Sequence, residues 1–249
     1  MEKNRPSAYT GRMETALYLI PVPLGQTDLA HVLPAHNRDI IMHIRHFIVE
    51  NVRSARRFLR AVDTAIDIDA LTFYELNEHS DGKTLAHLLD PLLHGQPMGV
   101  ISEAGCPAVA DPGATAVALA HQKHLRVIPL VGPSSIMLAL MASGCNGQNF
   151  AFNGYLPVKP NERANRLRQL ESRAHRERQT QIFIETPYRN ATMIAAITAA
   201  CRAETKLCIA AGITTAQEYI RTKTIGQWKK SPPPDLAKIP AIFMLSADR

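Results

Sequence analysis

The sequence predicts an α/β protein of two domains, with a mostly parallel sheet in the first and a mixed sheet in the second. Three observations carry this. Over the first half, short apolar runs alternate with helical patterns, and the connections are short. That is the pattern of a parallel sheet covered by helices. In the last third, strand-like runs follow one another without a helix between them, which predicts antiparallel pairing. The chain has 249 residues, 46% hydrophobic and 20% charged. That is enough to bury a core without help from a disulfide or a metal.

The elements follow in order. The opening MEKNRPSAYTGR is polar and has no apolar core segment, so residues 1–15 read as a loose tail and not as a secretory signal. Residues 16–20 (ALYLI) read as a buried strand closed by Pro21 and Pro23. A short helix falls within 30–44, a strand at 46–49 and a helix at 51–61. On that helix apolar residues recur near helical spacing, with Arg53, Arg56, Arg57 and Arg60 between them. A strand is expected at 72–76, a helix at 83–93, a strand at 99–102, a helix at 114–123 and a strand at 126–131. The chain then crosses a boundary near 130–133, so the domains are expected at 16–131 and 132–249. In the second, helices are expected at 133–142, 161–176 and 189–201. Strands are expected at 149–152, 180–185, 206–211, 218–224 and 241–246. The proline run at 231–234 reads as a stiff connection. Trp228, the single tryptophan, is expected at a domain or dimer contact.

Composition excludes several classes. No apolar run approaches the roughly 18 residues of a membrane span. The four cysteines, Cys106, Cys145, Cys201 and Cys208, form no CxxC pair, which disfavours a zinc ribbon or a thioredoxin-type site and fits thiols in a reducing cytoplasm. His43 and His46 are poorly placed for a metal, because His46 starts a strand. No metal is expected. The net charge of +6 favours anionic partners in general without specifying one.

Three loops that follow strands are rich in small residues: 21–25 (PVPLG), 102–107 (SEAGCP) and 132–135 (GPSS). Small residues let a ligand approach the backbone. In an open α/β sheet the default site lies where such loops converge. The chain has no GxxxxGK[ST], no GxGxxG after the first strand and no GxSxG, which disfavours a P-loop nucleotide, a Rossmann dinucleotide and a hydrolase elbow. What remains is a neutral, backbone-lined site for a small molecule.

The runs ALYLIPVPLG, GVISEAGCPAVADPG, VIPLVGPSSIMLALMASG, FNGYLP and IFIETPYR, in this order and spacing, resemble the tetrapyrrole methylase superfamily of S-adenosylmethionine-dependent methyltransferases. Within it they are most similar to the branch that methylates small-subunit ribosomal RNA. The resemblance spans residues 16–189 and continues more faintly to the end. It implies two α/β domains with S-adenosylmethionine in the cleft between them, a homodimer, and transfer to the 2′-oxygen of a cytidine ribose in 16S rRNA. It also implies cofactor contacts at Pro23 and Gly25, at Ala104, Gly105, Cys106 and Val109, at Ser134 and Ser135, and at Glu185 and Gly212. A sulfonium cofactor carries no phosphates, which fits loops without a P-loop lysine.

The chain departs from the branch in three places. Glu103 stands where the branch has Asp. Residues 50–53 (ENVR) stand where it has a run resembling EDTR. After LCIAAG the chain lacks an Arg-Glu-Leu-Thr-Lys run.

A ribose hydroxyl is a poor nucleophile at neutral pH, so a base or a nearby cation should assist. Glu78, His79, Glu185 and Arg53 are the catalytic candidates. Lys159, Arg163 and Arg166 begin a basic helix expected to follow RNA phosphates. Two other readings stay open: a methyltransferase for a tetrapyrrole or other small molecule, and a paralogue that binds S-adenosylmethionine or RNA without turnover.

Overall fold

The computed structural model describes residues 13–77 and 82–247. Most of the expected tail, and the Glu78–His79 pair, lie outside the described residues. Residues 13–15 are not loose. Met13 packs against the core, Glu14 pairs with Arg126 at 2.5 Å, and the Thr15 hydroxyl donates to the Gly95 carbonyl at 3.0 Å.

The described residues form two compact units. The first takes 13–23 and 28–133, the second 24–27 and 134–247. In the first, strands β1 (Leu17–Ile20), β2 (His46–Val49), β3 (Thr72–Glu75), β4 (Met98–Ile101) and β5 (Val127–Pro129) form one sheet in the order β3-β2-β4-β1-β5. Every pairing is parallel. The inner strands β1 and β4 are apolar along their length, because both faces of the sheet are covered. On one face Ile20, Phe47 and Val49 pack with Leu59 of the helix Val52–Val62. On the other, Leu17, Ile48 and Val100 pack with Leu88, Leu89 and Ala116. Asn51 starts the helix Val52–Val62, its side chain accepting from the Arg53 and Ser54 amides at 2.9 and 3.2 Å. The helix expected at 83–93 is broken into Gly82–His87 and Asp90–Leu93. Pro91 lacks the N–H that an unbroken helix would donate back one turn.

In the second unit the strands are β6 (Phe150–Tyr155), β7 (Thr180–Glu185), β8 (Lys206–Ala211), β9 (Tyr219–Thr224) and β10 (Ala241–Ser246). Their order is β6-β7-β10-β8-β9, with β6 and β7 parallel and the other pairs antiparallel. The sheet is mixed, as the late strands without intervening helices predict. The helices Pro160–Glu177 and Asn190–Ala200 cover one face through Leu167, Leu170, Met193 and Ile197, and the helix Ser135–Ser143 covers the other through Ala139 and Leu140.

A further helix, Ile225–Lys230, was not expected. Thr224 and Gln227 close a capping box at its start, a Thr-x-x-Gln signal that is visible in the sequence. This helix decides the place of Trp228. The indole is 2% exposed, packs in the core of the second unit, and donates to the Leu207 carbonyl at 2.9 Å. The expectation of a domain or dimer contact is corrected: a ring this buried has no surface to offer a partner. Trp228→Ala should cost about 3–5 kcal/mol in urea unfolding. Because Trp228 is the only tryptophan, the native emission should be blue-shifted and resist acrylamide. Strong quenching in the folded protein would refute this placement.

Candidate active site at the carboxyl edges of the strands

In the first unit the connections leaving neighbouring strands β1 and β4 run in opposite directions. One crosses β4 to reach β2, and the other crosses β1 to reach β5. The loops after these strands therefore flank the topological switch point, where open α/β sheets bind ligands. Val22 and Gly105 join the two loops by an isolated antiparallel bridge, each amide donating to the other's carbonyl at 2.9 and 3.1 Å. The third loop closes onto both. The Cys106 thiol lies 3.4 Å from the Pro133 carbonyl. Gly132 sits so close to Pro21 that a Cβ there would fall 2.3 Å from the proline ring. The three loops singled out from sequence thus meet, and Gly105, Cys106 and Gly132 are the residues that join them.

The loop after β4 is unusually shaped. Ala108 and Ala110 both have positive φ, at 66° and 61°. A non-glycine residue adopts this region at a cost. Asp111 holds the shape: its Oδ1 accepts from the Ala108 and Gly113 amides at 2.8 and 2.7 Å. Its Oδ2 is buried and has no partner among the described residues. Val109, between the two alanines, is exposed. Ala104 belongs to the same loop, and Pro23 ends the first-unit part of the loop after β1.

Glu50, after β2, lines a recess with Asp111, Ser102 and Gly113. Burial, then repulsion from Asp111, pushes the Glu50 carboxyl up, while the Glu103 amide opposes this. Burial likewise pushes the Asp111 carboxyl up, against the pull of its two amide donors. It also raises the Cys106 thiol, with help from Asp111, so this cysteine stays protonated at neutral pH. Arg53 is exposed at the start of its helix.

Four residues of the first loop, 24–27, belong to the second unit. Gly25 lies against Thr215, where a Cβ would be 2.7 Å from the methyl carbon. Thr215 is in the turn that leaves β8. There Gly212 takes φ +58°, and a Cβ would lie 2.8 Å from the Gln217 carbonyl oxygen, so only glycine fits. Thr214 follows at φ 68°, an outlier for a β-branched residue. Its hydroxyl oxygen is buried without a partner among the described residues. This short turn stands where the Arg-Glu-Leu-Thr-Lys run is missing.

Glu185 ends β7. Its Oε1 accepts from the Thr186 amide at 2.7 Å and from Arg189 Nη2 and Nε at 2.6 and 3.0 Å. Its side chain is 1% exposed. Oε2 is buried and unpartnered among the described residues. An oxygen so fully engaged marks Glu185 as an anchor, with one acceptor atom left over. In the strand register Ala241 pairs with both Glu185 and Ala211, so Glu185 and the Gly212 turn share one edge of the second sheet. Ser134 caps the helix Ser135–Ser143, accepting from the Met137 amide at 3.4 Å, and Ser135 is the first helical residue.

One residue of the basic helix departs from expectation. Arg163 is 6% exposed and donates to the Val158 carbonyl at 3.1 Å, so it is not on an RNA-facing surface. The reason is spacing: Arg163 lies on the stripe of Leu167, Leu170 and Ala174, which faces the core. Arg166 donates to Asn153 at 3.0 Å and Gln169 at 3.4 Å, and Lys159 pairs with Glu162 at 3.1 Å. Sequence reading missed Asp111 and Arg189. The Asp-Pro-Gly before a helix and the Glu-x-x-x-Arg spacing were their available signals.

Among the described residues no group of His, Cys, Asp and Glu could hold a metal, and no helix is long and apolar enough to cross a membrane.

Two predictions follow from the carboxyl groups. An acid raised in the fold binds its proton more tightly there than in the unfolded chain, so stability falls as pH rises above the ordinary value of 3.8. Asp111→Asn keeps an acceptor for the two amides and removes the charge. It should be more stable than the parent at pH 7, with the gain vanishing below that value. A gain independent of pH would discredit the electrostatic account. Arg189→Met should cost about 3–5 kcal/mol, because it leaves the buried Glu185 carboxylate uncompensated. Adding Glu185→Gln should recover part of this in a double-mutant cycle, and strict additivity would show that the pair is not coupled.

No protein-family model matches the chain. It is 33% identical over 220 residues to ribosomal RNA small subunit methyltransferase I of Mesorhizobium japonicum, covering 86% of this chain and 68% of that protein. It is 31% identical over 173 residues to the protein of the same name from Vibrio cholerae, covering 70% of this chain and 56% of that one. The Escherichia coli O157:H7 protein of that name is 28% identical over 211 residues, covering 85% and 70%. Two solved structures share the two-sheet fold. The methyltransferase CobJ has a TM-score of 0.60 at 16% identity, covering 93% of this chain and 94% of that one. The cobalt precorrin-4 methyltransferase CbiF has 0.60 at 14%, covering 93% and 95%.

Proposed function

We propose that this chain, which belongs to the family of ribosomal RNA small subunit methyltransferase I, transfers the methyl group of S-adenosylmethionine to the 2′-oxygen of a cytidine ribose in 16S rRNA. The observation that supports this best is the convergence of three small-residue loops at the switch point, tied by the Val22–Gly105 bridge and carrying no phosphate-binding lysine. Such loops suit a ligand held through its backbone-facing edges rather than through phosphates.

The residues present fit that cofactor. In the first unit Pro23, Ala104, Gly105, Cys106 and Val109 offer small or apolar walls and backbone groups. In the second, Gly25, Ser134, Ser135 and Gly212 do the same. Glu185 keeps one buried oxygen, and Thr214 one buried hydroxyl, without a partner among the described residues. Buried polar atoms are normally paired, so these two suit the hydroxyl and amino groups of a nucleoside. When bound, the cofactor supplies an electrophilic methyl on a sulfonium.

The chain's own residues then act mainly by placement. Holding the acceptor hydroxyl in line is worth about 7–11 kcal/mol of barrier. Glu78 and His79 follow β3 in the sequence and are the candidates for taking the hydroxyl proton, with Arg53 as a cation near the reacting oxygen. Glu185 serves as an anchor and not as the base, because Arg189 and Thr186 already occupy its Oε1.

The short turn after β8 favours a second reading, a small-molecule acceptor, since the charged run of the rRNA branch is absent there. One experiment separates them. Labelled S-adenosylmethionine is incubated with the protein and with small ribosomal subunits from a strain lacking it, and the modified nucleotide is mapped. Label on a cytidine ribose is the expected result. Cofactor binding by calorimetry without label on rRNA would defeat the rRNA reading and leave the small-molecule one.

A further inference from the structure

Two helices of this protein are rich in arginine, and their charges are treated differently. On the helix Pro160–Glu177 most of the cations bond within the fold, with Arg176 exposed and no acid pairing it among the described residues. Arg163 is buried, Arg166 and Arg168 bond to Asn153 and Asn165, and Lys159 and Arg173 pair with Glu162 and Glu177. The helix Val52–Val62 has no acidic residue at all. Arg53, Arg56, Arg57 and Arg60 fall at i, i+3, i+4 and i+7, which places them along one side. All four are exposed. Arg56 is held, 2.8 Å from Asp69 and over the Phe73 ring. No acid pairs with Arg53, Arg57 or Arg60 among the described residues. Asp63, which follows the helix, is taken by Arg38.

Like charges at this spacing repel and weaken a helix. The apolar side of the helix compensates, since Ala55 and Leu59 are buried and Val52, Phe58 and Val62 pack against the same core. That side is therefore used up. The outer face has no large apolar residue to insert into a lipid surface or a protein groove, only the methyl of Ala61 beside the guanidinium groups. Guanidinium forks match phosphate oxygens in geometry and charge. The stripe runs roughly 10 Å along the helix. It begins directly after the carboxyl end of β2, the edge at which the loops of the first unit converge.

We propose that Arg57 and Arg60 form the phosphate-gripping face of the first unit, binding the backbone of the rRNA substrate. The proposal rests on the reading that the substrate is RNA. Arg57 and Arg60 make the sequence-independent contacts, and Arg53 is the end nearest the strand edge.

The test is a salt series of binding to transcribed 16S rRNA. It compares the parent protein, Arg57→Gln with Arg60→Gln, and a control, Arg168→Gln with Arg173→Gln, that loses the same charge from the second unit. Losing two phosphate contacts should flatten the plot of log K against log salt by about 1.4–1.8. The control should keep the parent slope. S-adenosylmethionine binding by calorimetry should be the same in all three. Arg57→Lys with Arg60→Lys should restore the slope, which separates lost charge from a damaged helix. A first variant with the parent slope, or a control that flattens equally, would overturn the proposal while leaving the rRNA reading intact. A parent that binds the cofactor but binds no rRNA at any salt would overturn both.

Discussion

Two hydrogen bonds between the backbones of Val22 and Gly105 tie together the ends of β1 and β4, and much of the candidate site in the first unit hangs on them. The strands are parallel neighbours that feed helices in opposite directions. Their connections cover opposite faces of the sheet, one through Ile40 and Ile41 and the other through Ala116 and Ala120. The bridge holds the two loops side by side beyond the sheet, and the third loop fits because Gly132 has no side chain to strike Pro21. The abundance of glycine, proline and alanine in these loops is thus a requirement of close backbone approach. It is the same property that lets a ligand reach the backbone.

Around this frame the protein keeps charges that do not favour its own stability. Asp111 has one oxygen satisfied by two amides and one buried without a partner, beside Glu50, whose carboxyl it repels. It pins a loop in which two alanines take the left-handed conformation. Strain and uncompensated charge in one recess are what a preorganised site retains and a purely structural turn would lose. In the second unit the Glu185–Arg189 pair is better compensated, and it leaves its remaining oxygen at the sheet edge shared with the Gly212 turn.

The four cysteines illustrate how burial sets chemistry. All are free, and burial pushes Cys201 to about 12 and Cys208 to about 11, which keeps both protonated and inert at neutral pH. The arginines show the converse. The same residue type is a core anchor at position 163, a bonded side chain at 166, and at 57 and 60 a surface charge that no acid among the described residues pairs. Only the last arrangement presents a free cation to an anionic polymer.

Much of the architecture was legible in the chain. The strands at 180–185, 206–211 and 241–246 read to the residue, because each is an unbroken run of buried or β-favouring residues with clear stops. The three loops were legible from composition, and the family from its motifs. The break at Pro91 and the helix around Trp228 were less so, since a six-residue helix leaves little periodicity to detect. What local pattern could not supply was the partner of each polar side chain. Arg166 meets Asn153, Glu171 meets Thr205, and Trp228 meets Leu207 because the folded sheet and helices bring them together. The sequence by itself determined which segments form strands, helices and small-residue loops, since periodicity and backbone preference are local. Tertiary structure alone decided which charges are buried, which are spent within the fold and which remain free, because burial and pairing depend on what the rest of the chain places opposite.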